Sequence, residues 1–241
     1  MLILALDSTA IAASAAIVKD GKLLAEFTVN TGLTHSETLL PMVESVLKMT
    51  KTSIDDIDVF ACNAGPGSFT GVRIGTATIK GLAYGKNKPC VGVSTLDSLA
   101  RNAACLDGII CPVMNARRQQ VYNALFECKG GKITRLCPDR AIAIAELGEE
   151  LSSMLQAEAR PVYLVGDGAV MTHEAFEVSQ IPSLLLPDRL IHQSAVNTAL
   201  CAEEAVKNGE VVSDATLVPV YLRQSQAERT RAEAEERQVN K

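Results

Sequence analysis

Three short turns in this chain carry residue types that could handle a phosphate. Asp7-Ser8-Thr9, Asn115-Ala116-Arg117 and Gly166-Asp167-Gly168 each follow an apolar, strand-like run. Backbone N–H groups at such turns favour anions, and a carboxylate there can hold a metal-bound water. Two of these turns facing each other would clamp phosphates from opposite sides, and a glycine-rich third would let backbone approach an adenosine. On this reading Asp7, Ser8, Thr9, Gly166 and Gly168 are the candidate nucleotide-holding residues, for a weak or vestigial ATP or ADP cleft. Asn115 argues against hydrolysis, because an amide cannot supply a carboxylate's charge. Each turn taken alone is also an ordinary structural turn.

A second candidate is the run Gly65-Pro66-Gly67-Ser68-Phe69-Thr70-Gly71-Val72-Arg73-Ile74-Gly75. It is not a P-loop, since no Gly-Lys-Ser/Thr closes it, and the dinucleotide spacing also fails. Its content is a stripe of small residues, Gly71, Gly75 and Thr78, on one face of a helix. Glycine costs about 1 kcal/mol relative to alanine inside a helix, so two of them imply a packing demand. The demand is met either by the chain's own helix over residues 35–49 or by a second protein on the same surface.

Other chemistries find little support. The three histidines, His35, His173 and His192, form no H-x-x-x-H or H-E-x-x-H pair, so no metal site is expected. No G-x-S-x-G elbow is present, and Ser68 has no histidine nearby in sequence. No catalytic residue is therefore assigned. The seven cysteines lack a C-x-x-C and sit mostly in apolar runs, as buried reduced thiols of a cytoplasmic protein do. The N-terminus has no basic region and only a short apolar run, unlike a signal peptide, and no stretch is long enough to span a bilayer. A net charge of −5 and 4% aromatic residues do not suit a protein that holds RNA by itself.

The elements that would position these turns come in two similar sets. Leu2 to Leu6, Ala12 to Val18 and Leu23 to Val29 read as strands, with Asp20-Gly21 as a hairpin signal. Ile109 to Met114, Val121 to Phe126 and Lys132 to Leu136 repeat that order around Gly130-Gly131, and Asp7 corresponds to Asn115. Helices and apolar strands follow each set, including Phe69 to Tyr84 and Ala195 to Lys207. The expectation is an α/β protein with a duplicated β-meander plus helices. Its lobes would cover residues 1–106 and 107–224, and residues 225–241 would form a charged tail.

Thr34-His35-Ser36-Glu37 reads as a capping box opening a helix, in which Thr34 caps an amide and Glu37 reaches back. Pro41 should bend or break that helix. Leu39, Val43, Val46 and Leu47 can cover a sheet, while Met42 and Met49, seven apart, share a face that partly reaches the surface. Exposed methionine suits an adaptable interface. His35, Leu39, Met42, Val46, Met49, Gly71, Gly75 and Thr78 are the candidate partner-binding residues, with the two helices docking on a matching pair.

At Gly65 to Gly75 the chain resembles the TsaB (YeaZ) family of bacterial tRNA-modification proteins. Leu4-Ala5-Leu6-Asp7-Ser8, His35-Ser36-Glu37, Leu39-Leu40-Pro41, Val93-Ser94-Thr95-Leu96, Ala116-Arg117-Arg118, Val121-Tyr122 and Pro219-Val220-Tyr221-Leu222-Arg223 extend the likeness over about residues 1–223. The resemblance implies a two-lobed, actin-like fold of the ASKHA superfamily, ribonuclease H-like in each lobe. It also implies a non-catalytic subunit that binds the paralogue TsaD, which transfers threonylcarbamoyl to the adenosine next to the anticodon, with the ATPase TsaE joining the pair. The chain would be a homodimer when alone and meet tRNA only through the complex. TsaD carries an H-x-x-x-H helix, and Thr95 and Leu99 stand where its two histidines would fall. The family usually has Asp at the position of Asn115. The rival readings are an ATP-dependent small-molecule kinase or a glycoprotease of the same superfamily, and a homodimeric binding module.

Overall fold

The computed structural model describes residues 1–223; the charged tail expected at 225–241 lies outside the described residues. Strand β1 (Leu2–Asp7) is the centre of the first sheet. It pairs antiparallel with β2 (Ala13–Lys19), which pairs with β3 (Lys22–Val29) through the expected Asp20-Gly21 turn. On its other side β1 runs parallel to β4 (Val59–Gly65), and β4 to β5 (Cys90–Ser94). The order β3-β2-β1-β4-β5 is the ribonuclease H-like arrangement.

Alternation along β1 explains the layers. Leu4 and Leu6 face a core shared with helix α1 (His35–Thr50) and helix α2 (Phe69–Ala83). Ile3 and Ala5 face the opposite side, where Ala195, Ala199 and Ala202 of helix α7 (Ala195–Lys207) close the layer. The strands of the first sheet fall within residues 2–94 and those of the second within residues 108–185. Helix α7 and the segment after it return to the first sheet, because that face is apolar and has no other cover.

Helix α3 (Thr95–Ala100) and a 3₁₀ turn (Arg101–Ala103) lead into the second sheet. Its central strand β6 (Gly108–Asn115) pairs with β7 (Gln120–Asn123) near one end and with β8 (Phe126–Lys129) near the other. The single strand expected over 121–126 is thus split. Pro112 lies in β6 between the two ladders and has no N–H to offer. Buried Asn123 repairs the gap by donating its amide to the Pro112 carbonyl at 2.9 Å. Strand β9 (Lys132–Arg135) completes the hairpin with β8, and β10 (Arg140–Ala143) pairs with β7. Beyond helix α4 (Ile144–Ala157), β11 (Val162–Val165) runs parallel to β6 and to the short β12 (Leu184–Leu185). Helices α5 (Ala169–Val178) and α6 (Asp188–Ile191) flank this sheet. Two sheets with this shared order give the two-lobed actin-like fold that the duplicated meander implied.

One local expectation changes. Helix α1 runs unbroken through Pro41. Pro41 lies on the exposed side, where the carbonyl it leaves without a donor can meet water. The expected capping box is present: the Thr34 side chain faces the Glu37 backbone and Glu37 reaches back to the Thr34 N–H at 3.2 Å, while the Thr34 hydroxyl also donates to the Glu37 carboxylate at 2.8 Å.

Candidate functional site

The first turn is built around a buried carboxylate. Asp7 closes β1 and accepts from the Thr9 N–H at 2.8 Å and the Thr9 hydroxyl at 2.9 Å with one oxygen. The Asn63 amide donates to the other oxygen. Burial pushes Asp7 up to about 6, against these hydrogen bonds, which pull the other way. The Asn63 carbonyl oxygen is itself buried without a partner.

Helix α2 presses on the same turn, which accounts for its glycines. A Cβ at Gly71 would lie 1.9 Å from the Ser8 carbonyl oxygen, and one at Gly75 would lie 2.6 Å from Ser8 Oγ. The Ser8 hydroxyl donates to the Gly71 carbonyl at 2.8 Å. Gly67 is equally tight against Thr9. Gly71 and Gly75 of the small stripe therefore pack on the chain's own β1–β2 turn. His35 fastens α1 to that turn, its Nε2 donating to the Ala10 carbonyl at 2.6 Å.

The second turn lies across from the first. Arg117 N–H donates to Asn115 Oδ1 at 2.8 Å, and Asn115 N–H donates to Asp167 at 3.1 Å. Burial raises the Asp167 carboxyl above its ordinary value, and the Asn115 N–H opposes this. Gly166, at φ 105°, sits so close to β6 that a Cβ would meet the Val113 carbonyl at 2.2 Å. A cleft of about 560 Å³ opens between these turns, and Thr9, Ser68, Asn115, Arg117, Asp167 and Tyr221 are among its walls.

Of the residues expected to hold a nucleotide, Thr9 lines this cleft, and Asp7, Ser8, Gly166 and Gly168 do not. Both Asp7 oxygens face protein donors, a disposition that does not fit a carboxylate holding metal-bound phosphate. Thr95 and Leu99 are buried on α3, and no cluster of three or more potential metal ligands occurs among the described residues. Burial drives the Cys62 and Cys111 thiols up to about 12, as for small hydrophobic side chains rather than nucleophiles.

The expected partner-binding residues divide. Met49 is 67% exposed, but Met42 is only 5% exposed, and Leu39 and Val46 are buried beside it in the core. The shared Met42–Met49 surface is therefore corrected: Met42 points at the sheet. Gly71 and Gly75 are buried against Ser8, Thr78 is half-buried with its hydroxyl on the Ile74 carbonyl, and His35 is occupied by Ala10. The apolar residues that α1 and its approach expose are Leu33, Leu40 and Met49.

Sequence reasoning gave Tyr221 no contact within the fold. Arg73 Nε donates to the Tyr221 hydroxyl at 2.8 Å, and the Tyr221 and Phe69 rings stack with centroids 4.4 Å apart. Phe69, Arg73 and Lys80 are four and seven apart on α2, a spacing that signals one face.

Comparison with known proteins agrees with this architecture. The family described as "TsaD: tRNA N6-adenosine threonylcarbamoyltransferase" matches residues 29–230. The tRNA threonylcarbamoyladenosine biosynthesis protein TsaB of Bacillus subtilis (strain 168) is 32% identical over 230 residues, 95% of this chain and 96% of that protein. Its namesake from Escherichia coli (strain K12) is 33% identical over 231 residues, 94% and 96% respectively. The crystal structure of YeaZ from Pseudomonas aeruginosa superposes with a TM-score of 0.75 at 26% identity, covering 92% of this chain and 99% of that one. Likeness that runs nearly end to end, in sequence and in fold, makes the chain a member of the TsaB (YeaZ) family.

Proposed function

We propose that this chain serves tRNA threonylcarbamoyladenosine biosynthesis as a subunit with no chemistry of its own. It docks on TsaD, works with TsaE in the cytoplasm, and meets tRNA only through that assembly. Participation in the pathway is supported by the names of relatives that match almost the whole chain. The lack of chemistry rests on one observation above all. Asp7, the carboxylate at the first turn, is buried with both oxygens held by Thr9 and Asn63, and neutral Asn115 stands opposite. The net charge of −5 leaves the phosphate contacts of tRNA to a partner. The exposed apolar residues Leu33, Leu40 and Met49 are the docking surface, for TsaD or for a second copy when the chain is alone. No helix among the described residues is long and apolar enough to cross a membrane.

The test supplies unmodified tRNA and threonylcarbamoyl-adenylate to the chain alone, to TsaD with TsaE, and to all three together. Modified adenosine should form efficiently only with all three. Modification by the chain alone overturns the reading. Titration calorimetry with ATP and magnesium adds a second arm. A tight site in the isolated chain that vanishes in Asp7→Ala would restore the cleft as a working nucleotide site.

A further inference from the structure

We propose that residues 210–223 form a clasp that ties the first lobe to the 116–120 turn across the cleft and holds that turn in its strained form. The segment is fastened to the first lobe along its length. Val212 and Cys90 exchange backbone hydrogen bonds of 2.9 and 2.8 Å at the edge of β5. Lys80 Nζ donates to the Ala215 and Leu217 carbonyls at 3.0 and 2.9 Å. The Leu217 side chain is buried in the core under α1 and α2. Val220 N–H donates to the Ala64 carbonyl at 2.7 Å, and the Val220 carbonyl occupies the space a Cβ at Gly65 would need. Tyr221 then lies on Phe69 and takes the Arg73 hydrogen bond. Two residues on, Arg223 crosses to the other lobe and donates to the Ala116 carbonyl at 2.9 Å.

The crossing lands on a strained turn. Arg117, Arg118 and Gln119 have φ of 66°, 55° and 56°, three consecutive non-glycine residues in the left-handed region. Strain of this kind persists only where the surroundings over-determine it. Here the turn is held by Ala116 N–H to Gln120 O at 3.0 Å, by Gln120 N–H to Arg117 O at 3.2 Å, and by Ile144 N–H to Gln119 O at 3.1 Å. Arg223 is the hold that comes from across the cleft. In this proposal the turn is the element that the clasp biases. Tyr221, Leu222 and Arg223 line the same cleft as Ala116 and Arg117. Lifting Tyr221 from Phe69 withdraws Arg223 and frees the turn. The α2 face of Phe69, Arg73 and Lys80 is thereby the lever joining residues 210–223 to the cleft.

Hydrogen exchange read by mass spectrometry on the full-length chain tests this, without any partner. The variants are Arg223→Ala, Tyr221→Ala and both together, with exposed Arg189→Ala as control; circular dichroism confirms that each folds. Arg223→Ala should speed exchange of the 116–120 amides about tenfold while strand 162–165 keeps its protection, as for a local opening. Tyr221→Ala should do the same, and should add nothing in the Arg223→Ala background, because the two act in series. Unchanged exchange at 116–120 in either single variant overturns the clasp. So does equal loosening of 162–165, or simple additivity in the double variant.

Discussion

The Ser8 hydroxyl donates to the Gly71 carbonyl at 2.8 Å, and a Cβ on Gly75, one turn further along α2, would fall 2.6 Å from that same Ser8 Oγ. One serine thus sets how closely a helix can approach the turn that closes β1. Gly75→Ala should destabilise the chain by about 1–3 kcal/mol through overpacking. Ser8→Ala removes the atom in the way, so the double variant should lose less than the sum of the two singles. Urea unfolding of the four proteins gives the coupling, and strict additivity would show that the contact is not what excludes a side chain at Gly75.

Met42→Glu and Met49→Glu should part company. Met42 is packed among Leu39, Val43 and Val46, so a carboxylate there is buried without a partner, at a cost of several kcal/mol. Thermal unfolding should show Met42→Glu severely destabilised. Met49 is exposed, so Met49→Glu should melt near the parent temperature. Sedimentation and co-purification of Met49→Glu and Leu40→Glu with TsaD then probe docking in a folded protein. Parent-like association by both would move the interface off this face of α1.

Asp7 gives the chain a pH signature. Its folded value of about 6 lies above the ordinary 3.8, so the folded state holds the proton more tightly than the unfolded state does. The contribution of Asp7 to folding stability should therefore fall as pH rises from near 4 to about 6, and stay level above that. The loss is on the order of 3 kcal/mol for a shift of roughly two units in a fully buried group. Asp7→Asn should flatten this part of the profile and stabilise the chain at pH 8 but not at pH 4. The unpartnered Asn63 carbonyl can turn to accept from the new amide. Denaturant midpoints across that range decide it; a variant with the parent's slope would rule out Asp7 as the source.

Asn123 should prove costly to replace. It bridges the interruption opposite Pro112, donating to the Pro112 and Ala124 carbonyls at 2.9 and 3.0 Å, and accepts from Arg140. Asn123→Leu leaves buried acceptors unpaired, an expected loss of about 1–3 kcal/mol each. Calorimetric unfolding is the measure, and an unchanged melting temperature would mean the gap needs no repair.

Much of the fold was legible because its signals are local. The meander repeats with its glycine turns, α7 follows the expected limits, and the three turns fall at strand ends. What failed was everything that depends on which neighbour arrives. Helical spacing placed Met42 and Met49 on one face, about 700° of rotation being within roughly 20° of two full turns, yet Met42 packs into the core while Met49, in the last turn of α1, is exposed. The small stripe announced a close approach without naming Ser8 as the object. Pro112 in a central strand was a readable sign of broken pairing and went unused. The clasp had its sign as well, in the common face of Phe69, Arg73 and Lys80, but its other half lies about 150 residues downstream, at Tyr221.

The return of α7 to the first sheet has a bearing on synthesis. As the chain leaves the ribosome, Ile3, Ala5, Val18, Val59 and Val91 assemble into a sheet face whose lid is residues 195–207. That face must stay uncovered while the whole second sheet is made, during which an unprotected apolar layer invites chaperones or aggregation. The molecule is two lobes in space but one cooperative unit in time, and an N-terminal fragment ending at residue 106 would carry a permanently open flank.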